Sequence, residues 1–377
     1  MSTHLAEAVV DLSAIRHNVA LLTEHAAAGG AATMAVVKAD GYGHGAVESA
    51  RAALAGGATW LGVCTVPEAL QLRDAGIEAP VLAWLHTPDT DFATAIARDV
   101  DLTVASVRAL EAVLAAQEAA GRPARVHLKA DTGLTRNGAT RADWPDLVAR
   151  AVKAQAAGAA EVVSVWSHLA HADAPDHPTI DRQRDVLVAA HAHAVEQGLT
   201  PMLHLANSAA TLTRPDLHFD LVRPGVAVYG LSPVPERGDF GLRPALTFRS
   251  RVVLARRVPA GEGVSYGHVW TTDRETTLAL VPVGYADGVP RALTGRLRVL
   301  VGGRLHDVVG RVCMDQLVVD CGDADVTEGD EVVFFGPGDR GEPTAQDWAD
   351  ALGTIHYEVV TGVNRPRVVR TTVGEQA

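Results

Sequence analysis

Residues 34–45 read Met34-Ala35-Val36-Val37-Lys38-Ala39-Asp40-Gly41-Tyr42-Gly43-His44-Gly45. An apolar run bounded by glycines is typical of a buried strand leaving its sheet, so Lys38 lies where strand gives way to loop. Partial burial lowers the pKa of a lysine and leaves a nucleophilic amine suited to Schiff-base chemistry. A solvated lysine that ends a strand is the alternative. A dinucleotide-binding loop is not indicated, because the glycine spacing differs and the lysine precedes the glycines.

On both sides of this strand, apolar β-branched runs alternate with amphipathic segments rich in Ala and Leu. Strands are predicted near residues 33–38, 59–64, 80–84, 101–105, 125–130, 162–168, 202–206 and 226–230. Helices are predicted between them at residues 46–56, 66–76, 88–98, 106–120, 144–157, 179–198 and 207–213. Pro67 and Pro88 suit the first turns of two of these helices. Eight such repeats indicate a parallel (β/α)8 barrel, although a doubly wound open sheet would show the same alternation.

The two ends of the chain differ from this pattern. Residues 5–11 suggest a short strand, and residues 14–25 a helix that Ser13 could cap. Beyond residue 235, β-strand patterns dominate, at residues 246–258, 276–283, 297–301, 304–312, 316–320, 331–335 and 365–372, with one helix at 344–352. We therefore expect a barrel domain at 1–235 and a mainly antiparallel β domain at 236–377, with the first strand able to pair with the second domain.

Composition excludes several classes of protein. The chain has 377 residues, of which 47% are hydrophobic, and this length suits two domains. A formal charge of −12 argues against nucleic-acid binding. The three cysteines Cys64, Cys313 and Cys321 show no paired spacing, which argues for a reducing compartment. Neither a signal peptide nor a membrane-spanning stretch is recognisable, so a cytoplasmic protein is expected.

Polar side chains follow several of the predicted barrel strands. In such barrels, chemistry takes place at the carboxyl ends of the strands. The residues at these positions are Lys129, Arg136, Asn137, Ser167, His168, His204, Asn207, Ser208 and Arg223. Each has a structural alternative: a histidine can be hydrogen-bonded in a core, Arg223 can form an ion pair, and Asn207-Ser208 can cap a helix. Their convergence on one rim is what favours a site.

The chemistry of this set is not that of a metal centre or a serine hydrolase. His168 and His171 have no third ligand at a suitable spacing, so no metal is predicted. No Gly-x-Ser-x-Gly motif is present. A lysine amine, an arginine and small residues able to surround a phosphate are what pyridoxal phosphate (PLP) requires.

From Asp11 to Arg370, the sequence resembles the alanine racemases, which are PLP enzymes of fold type III. The blocks that carry the resemblance are Val37–Gly45, His127–Gly133, Arg136-Asn137-Gly138, Ser167-His168, Asn207-Ser208-Ala209, Val222–Gly225, Val264–Gly267, Val283–Gly288 and Gly310–Asp315.

The resemblance implies roles at the cofactor. Lys38 would carry PLP and act as the base on the D face of the α-carbon, and Tyr266 of a partner subunit would be the base on the L face. Arg223, supported by His204, would face the pyridine nitrogen, with His168 near the ring. The phosphate would be held by Tyr42, Asn207, Ser208, Gly225, Val226 and Tyr357. Without the resemblance, Tyr266 is predicted to be a core aromatic at the end of a strand, and Tyr357 an ordinary buried tyrosine.

The resemblance also implies roles at the substrate. Arg136 would contact the substrate carboxylate together with the backbone N–H of Met314 from the partner, and Tyr285 would line the entrance. Lys129 is a candidate for carbamylation, which would turn it into an anion that orients Arg136. Cys313 and Asp315 would support Met314.

The implied activity is the interconversion of L- and D-alanine in a homodimer with shared active sites, supplying D-alanine for peptidoglycan. A racemase of broader or different specificity, for serine or lysine, is one alternative. A non-catalytic PLP-binding homeostasis protein is another, although those proteins resemble the barrel alone. The related decarboxylases are disfavoured, because Cys313-Met314-Asp315 follows the racemase pattern.

Overall fold

The structure is a computed structural model that describes residues 4–374 in two compact units. The barrel unit consists of Ile15–Gly41 and Ala46–Leu242. The β unit consists of Tyr42–Gly45, the chain from Arg243 onward and the residues up to Ala14. Within residues 4–374, no helix is long and apolar enough to cross a membrane.

The described chain opens with strand β1 (Ala6–Asp11), which the helix Leu12–Ala27 follows directly. The cap predicted at Ser13 is wrong, because Asp11 takes that place. Its Oδ1 accepts the backbone N–H groups of Ser13 (2.8 Å) and Ala14 (3.2 Å). A carboxylate just before a helix satisfies first-turn donors that have no partner within the helix.

The barrel unit contains eight parallel strands, as the alternation predicted. They are β2 (Ala32–Val36), β3 (Trp60–Val63), β4 (Val81–Ala83), β5 (Val100–Val104), β6 (Ala124–Lys129), β7 (Ala160–Trp166), β8 (Met202–His204) and β9 (Leu221–Val222). Their order in the sheet is β8-β7-β6-β5-β4-β3-β2-β9. A parallel bridge between Asn207 and Arg223 joins the segments that follow β8 and β9 and nearly closes the barrel.

The strand predicted at residues 226–230 is wrong. The eighth strand is Leu221–Val222, and Val226–Tyr229 forms a 3-10 turn. Pro224 has no N–H to donate to a neighbouring strand, so the ladder cannot continue through it. Arg223 therefore follows the last strand instead of preceding it, and lies at the carboxyl end of the barrel.

Helices separate the barrel strands. They span Ala46–Ala55, Val66–Asp74, Phe92–Ala97, Val107–Ala120, Trp144–Ala156, Thr179–Glu196 and Ser208–Thr213. Pro67 occupies a first turn, as predicted. The same prediction for Pro88 is wrong, because that helix begins only at Phe92. Asp91 caps it by accepting the N–H of Thr94 (2.9 Å).

The β unit is built on a nine-stranded sheet. The remaining strands of the chain are β10 (Leu246–Arg251), β11 (Leu254–Val258), β12 (Gly263–Val264), β13 (Trp270–Thr271), β14 (Thr276–Val281), β15 (Arg298–Val301), β16 (Arg304–Val309), β17 (Leu317–Gly322), β18 (Glu331–Phe335) and β19 (Val369–Val373). The sheet order is β11-β14-β17-β16-β15-β18-β10-β1-β19, antiparallel throughout except between β1 and β19.

Three details of the β unit differ from the prediction. The run at 246–258 is divided into two strands, β10 and β11. The short antiparallel pair β12–β13 was not predicted. A second helix, His356–Gly362, follows the predicted helix at Ala345–Leu352. In each case the segment is only two to seven residues long, too short for a periodic pattern to identify it.

Candidate active site

Lys38 begins a left-handed turn just beyond β2. Ala39, Asp40 and Gly41 have φ values of 53°, 52° and 62°. Left-handed backbone costs L-residues roughly 1–2 kcal/mol each, so Ala39 and Asp40 require external support, whereas Gly41 adopts this conformation freely. Part of the support is local, since the Gly41 N–H donates to the Val37 carbonyl (2.9 Å). Asp40 adds to it by accepting the N–H of Ala46 (2.9 Å).

Glu68 provides the remaining support for this turn. Its Oε1 accepts the N–H of Ala39 (2.8 Å), and its Oε2 accepts those of Cys64 (2.8 Å) and Thr65 (2.9 Å). One carboxylate therefore ties the residue after Lys38 to the end of β3. The Thr65-x-x-Glu68 capping box was recognisable in sequence, but the bond to Ala39 was not.

We expect Glu68→Gln to destabilise the fold. Three backbone N–H groups donate to the two carboxylate oxygens of Glu68, and an amide has only one oxygen that can accept. These charge-assisted hydrogen bonds are exposed or half-buried, so the loss should be about 1–2 kcal/mol. Denaturant unfolding would measure the difference, with the exposed Glu118→Gln as the matched control. Equal midpoints for the two variants would contradict the assigned role.

The amine of Lys38 is partly shielded from solvent. Burial lowers the pKa of Lys38, and the Arg136 guanidinium lowers it further, while Cys64 and Glu68 oppose the shift. Its Nζ lies 5.9 Å from the centre of the Trp84 ring. A lysine held in this way has more neutral amine at physiological pH than a surface lysine has.

Arg223 is a buried cation at the same end of the barrel. It donates to His204 Nδ1 (2.9 Å) and to the carbonyl oxygens of Ser167 (2.8 Å) and Leu205 (3.2 Å). Within the described residues it forms no ion pair with a carboxylate. Burial lowers the pKa of Arg223 to about 9, which still leaves the guanidinium charged at neutral pH. Because a guanidinium can only donate hydrogen bonds, Arg223 suits a ligand atom that accepts a hydrogen bond and carries no proton.

Lys129 is the last residue of β6 and lies beside Arg223. The Lys129 Nζ is 4.3 Å, and the Arg223 Cζ 4.8 Å, from the centre of the Trp166 ring. Burial, and then the Arg223 and Arg136 guanidinium groups, lower the pKa of Lys129 to about 8. Trp84 and Trp166, whose ring centres are 6.3 Å apart, form an aromatic wall that was not predicted as part of the site.

Arg136 and His168 complete the rim. Arg136 is on the exposed loop after β6, and its charge lowers the pKa values of Lys38, Lys129 and His168. Burial is the main cause of the shift at His168 and holds its pKa well below the usual range. His168 Nδ1 is 3.5 Å from the Arg223 guanidinium.

A cluster of backbone donors lies next to Ser208. The Ser208 Oγ accepts the N–H groups of Gly225 (2.7 Å) and Ala227 (3.3 Å). Its own hydroxyl proton therefore has to point to a different acceptor. Asn207 caps the following helix by accepting the N–H of Ala210 (3.2 Å), which is the structural role that the sequence left open.

Within the β unit, Tyr42 and Tyr357 form a pair with ring centres 6.2 Å apart. Tyr42 is buried, and burial, followed by the nearby Tyr357, raises the pKa of the Tyr42 phenol. Tyr357 is only half-buried. The prediction of an ordinary buried tyrosine at this position is therefore wrong.

Tyr266 is 72% exposed, so the prediction of a core aromatic is wrong. It lies between Ser265 and Gly267, whose φ values are 62° and 74°. The Ser265 hydroxyl fastens this turn by donating to the Arg311 carbonyl (2.9 Å) and lies 3.4 Å from the Cys313 Sγ. Sequence could not show this, because a turn of positive φ values interrupts the strand just before the tyrosine.

Met314 and Tyr285 project from two segments that are hydrogen-bonded to each other. The Tyr285 N–H donates to the Cys313 carbonyl (3.0 Å), and the Ala286 N–H donates to the Met314 carbonyl (2.8 Å). Both side chains are exposed, and so is the neighbouring Asp315. The β unit thus presents large exposed side chains on fixed backbone.

The barrel rim can bind an anionic ligand that has an electrophilic carbon. Four cationic side chains meet there: Lys38, Lys129, Arg136 and Arg223. The carboxylates that act on these cations, Glu68 on Lys38 and Asp131 on Lys129, are already engaged by backbone N–H groups, Glu68 with Ala39 and Asp131 with Gly133 and Thr135. A phosphate or carboxylate would balance the charge, and the amine of Lys38 could attack a carbonyl.

Two family profiles match the chain. The N-terminal domain of alanine racemase matches residues 10–233, and the C-terminal domain of alanine racemase matches residues 245–372. The alanine racemase of Salinispora arenicola is 58% identical over 372 residues, covering 98% of this chain and 99% of that protein. That of Frankia casuarinae is 60% identical over 360 residues, covering 94% and 93%.

Solved structures give the same result. The alanine racemase of Streptomyces lavendulae superposes with a TM-score of 0.96 at 52% identity, covering 100% of this chain and 99% of that one. The enzyme of Streptomyces coelicolor gives a TM-score of 0.95 at 52% identity, covering 98% of each chain. With both domains matched and identity near 58% over almost the full length, the chain belongs to the alanine racemase family.

Proposed function

We propose that this protein interconverts L- and D-alanine with PLP as its cofactor. The observation that carries the proposal is the presence of two groups at one end of the barrel. Burial lowers the pKa of Lys38, and Arg223 is a buried cation that has no ion-paired carboxylate among residues 4–374. A lysine for covalent attachment and a partner for the ring nitrogen are what the cofactor requires. The bound cofactor would supply an electron sink that makes the α-proton of an amino acid acidic.

The residues of the barrel unit fit the cofactor. Arg223 has only donors, so it would hydrogen-bond a ring nitrogen that carries no proton. An unprotonated ring is a weaker electron sink, which disfavours side reactions such as transamination. Ser208, with Gly225 and Val226 beside it, would offer a hydroxyl donor to the phosphate. His168, whose Nδ1 is 3.5 Å from the Arg223 guanidinium, would lie near the ring. Phosphate contacts from Tyr42, Tyr357 and Asn207 stay predictions.

Racemisation needs a proton removed on one face of the α-carbon and returned on the other. We assign the D face to the Lys38 amine and the L face to the Tyr266 phenol of a partner subunit. Two features support the assignment of Tyr266. Its side chain is exposed, and the backbone that carries it is held in a turn with positive φ values on both sides. Active sites shared in this way require a homodimer.

Arg136 is proposed to bind the substrate carboxylate, with the Met314 backbone N–H of the partner subunit as a second donor and Tyr285 lining the entrance. We further propose that Lys129 is carbamylated. CO2 reacts only with a neutral amine, and a pKa of about 8 leaves part of Lys129 neutral near pH 7.5. The product would be an anion between Arg136 and Arg223 and would relieve their repulsion.

Carbamylation of Lys129 should depend on pH. Occupancy should rise between about pH 7 and pH 9, because the neutral amine becomes the main species as the pH passes the lowered pKa. Native mass spectrometry in bicarbonate would show the mass of one added CO2, and Lys129→Met would not show it. The exposed Lys153→Met serves as the control that retains the modification. A wild-type mass without the addition at both pH values would contradict the proposal.

The biological role we propose is supply of D-alanine for peptidoglycan in the cytoplasm. The test of the activity is the appearance of D-alanine from L-alanine in purified protein, with and without added PLP. PLP-dependent turnover is expected. Bound PLP without turnover of alanine would contradict the proposal, and α-proton exchange with other L-amino acids would then identify the substrate.

A further inference from the structure

A chain of buried polar side chains runs through the inside of the barrel to Arg223. Asp101 Oδ2 lies 3.0 Å from His127 Nε2, and His127 Nδ1 lies 2.7 Å from Ser164 Oγ. The same Oγ lies 2.7 Å from His204 Nε2, and His204 Nδ1 lies 2.9 Å from Arg223. All five residues are at most 5% exposed. The chain begins near the start of β5 and ends at the carboxyl end of the barrel, where the site lies.

Arg223 and Asp101, the two ends of this row of hydrogen-bonded side chains, have fixed hydrogen-bonding roles. A guanidinium has only donors, so Arg223 must donate to His204 Nδ1. At the other end, Arg125 donates to both carboxylate oxygens of Asp101, at 2.8 and 3.3 Å. An ionised carboxylate has only acceptors, so Asp101 must accept from His127 Nε2.

The positions of the inner protons follow from these ends. Because His204 Nδ1 accepts, the single proton of a neutral His204 is on Nε2 and is donated to Ser164. The Ser164 hydroxyl then donates to His127 Nδ1, and His127 donates from Nε2 to Asp101. Every bond therefore runs in one direction, from Arg223 to Asp101. Burial, and then the Arg223 charge, hold the pKa of His204 well below its usual range, which keeps it neutral.

We propose that Asp101, His127 and Ser164 are positioning residues whose one-directional hydrogen bonds present an unprotonated His204 Nδ1 to Arg223 and hold its guanidinium in place. The consequence for turnover rests on the proposed contact of Arg223 with the cofactor ring. The consequence for the histidine tautomers does not rest on that contact, since it follows from the hydrogen bonds among these five side chains alone.

A doubly protonated His127 is the arrangement that would break this chain. Its Nδ1–H would have to donate to Ser164, which already accepts from His204. The hydroxyl proton would then lack an acceptor, since within residues 4–374 its hydrogen-bond partners are these two histidines. A buried donor without a partner is unfavourable, so the structure favours the singly protonated form.

The tautomers can be observed directly in the holoenzyme. Two-bond ¹⁵N–¹H correlation spectra of histidine-labelled protein distinguish a protonated from an unprotonated ring nitrogen, and single-histidine variants assign the signals. At neutral pH we expect His127 and His204 each to carry one proton, on Nε2. A proton on Nδ1 of either residue would overturn the proposal.

Asp101→Asn should reverse part of the chain. Arg125 offers only donors, so the new amide oxygen must face Arg125 and the amide NH2 must face His127. His127 is then expected to move its proton from Nε2 to Nδ1 and to donate to Ser164. The Ser164 hydroxyl can then turn only to His204 Nε2, which leaves the His204 proton on Nδ1, facing the donors of Arg223. We expect kcat to fall about tenfold with KM changed less than about twofold, because Arg223 loses its fixed position. An unchanged His127 tautomer would overturn the proposal.

Two further variants separate positioning from simple damage to the fold. Thr103→Val removes a buried hydroxyl two residues beyond Asp101 on the same strand and should leave both tautomers and turnover unchanged. Ser164→Ala interrupts the chain, so adding Asp101→Asn to it should cost no further turnover, whereas additive losses would overturn the coupling. A tautomer change without any loss of turnover would support the chain and overturn the proposed role of Arg223.

Discussion

Lys38→Ala is expected to lose racemase activity by about four orders of magnitude or more, because it removes both the covalent attachment of the cofactor and one of the two bases. The left-handed turn should persist, since its hydrogen bonds to Glu68, Val37 and Ala46 come from the backbone and from Asp40. The Lys38→Ala variant should therefore unfold at nearly the same temperature as the wild-type protein. A correctly folded Lys38→Ala variant that still turns over alanine would refute the assignment.

Covalent attachment can be tested separately from turnover. The chain has three lysines, Lys38, Lys129 and Lys153. Borohydride treatment of the PLP-loaded protein followed by peptide mapping should place the cofactor on Lys38 alone. Lys153→Ala, on an exposed helix face, is the matched control and should behave as wild type. If the cofactor were found on Lys129, the attachment site would be at the end of β6 and the assignment of Lys38 would be wrong.

Tyr266→Phe is expected to keep the bound cofactor and to lose racemisation by about 10²–10⁴-fold, the usual contribution of a general base. The loss should be unequal for the two enantiomers. In D2O, exchange of the α-proton of L-alanine should nearly stop, whereas exchange with D-alanine should continue through Lys38. Equal exchange rates for both enantiomers would contradict the two-base assignment.

Mixing the two inactive variants tests whether the site is shared between subunits. If Tyr266 serves the partner, a mixed dimer of Lys38→Ala and Tyr266→Phe chains has one site with both substitutions and one intact site. After random exchange, half of the dimers are mixed and half of their sites are intact, so about a quarter of the activity should return. No recovery from dimers shown to have exchanged subunits would place Tyr266 in the site of its own chain.

The barrel was predictable because its pattern is local. Each strand and helix carries its own apolar period, and eight repeats of that pattern leave few architectures. Lys38, Lys129, His204 and Arg223 were also identifiable, since they end apolar runs whose carboxyl ends share one rim. The eighth strand was misplaced because the apolar run after Pro224 is longer than the two-residue strand before it.

The supporting residues were not predictable, because their partners are distant in sequence. Glu68 meets Ala39 across 29 positions, and Asp101 meets His127 across 26. Nothing in either local sequence distinguishes these carboxylates from ordinary helix caps or surface charges. The exposure of Tyr266 was not predictable either. It depends on a turn of positive φ values, and the apolar residues before this turn indicate a continuous strand instead.

Most helices and strands, the two-part architecture and the motifs of the alanine racemase family could be predicted from the sequence alone, because periodicity and spacing are properties of neighbouring residues. Which of these side chains meet, and which are buried, became apparent only in the folded structure, because it depends on contacts between segments that are distant in sequence. The lowered pKa values of Lys38 and Lys129, the burial of Arg223 and the hydrogen-bonded chain from Asp101 all arise from burial and from contacts between segments that are distant in sequence. These contacts depend on the barrel as a whole, and no single segment of the chain contains them.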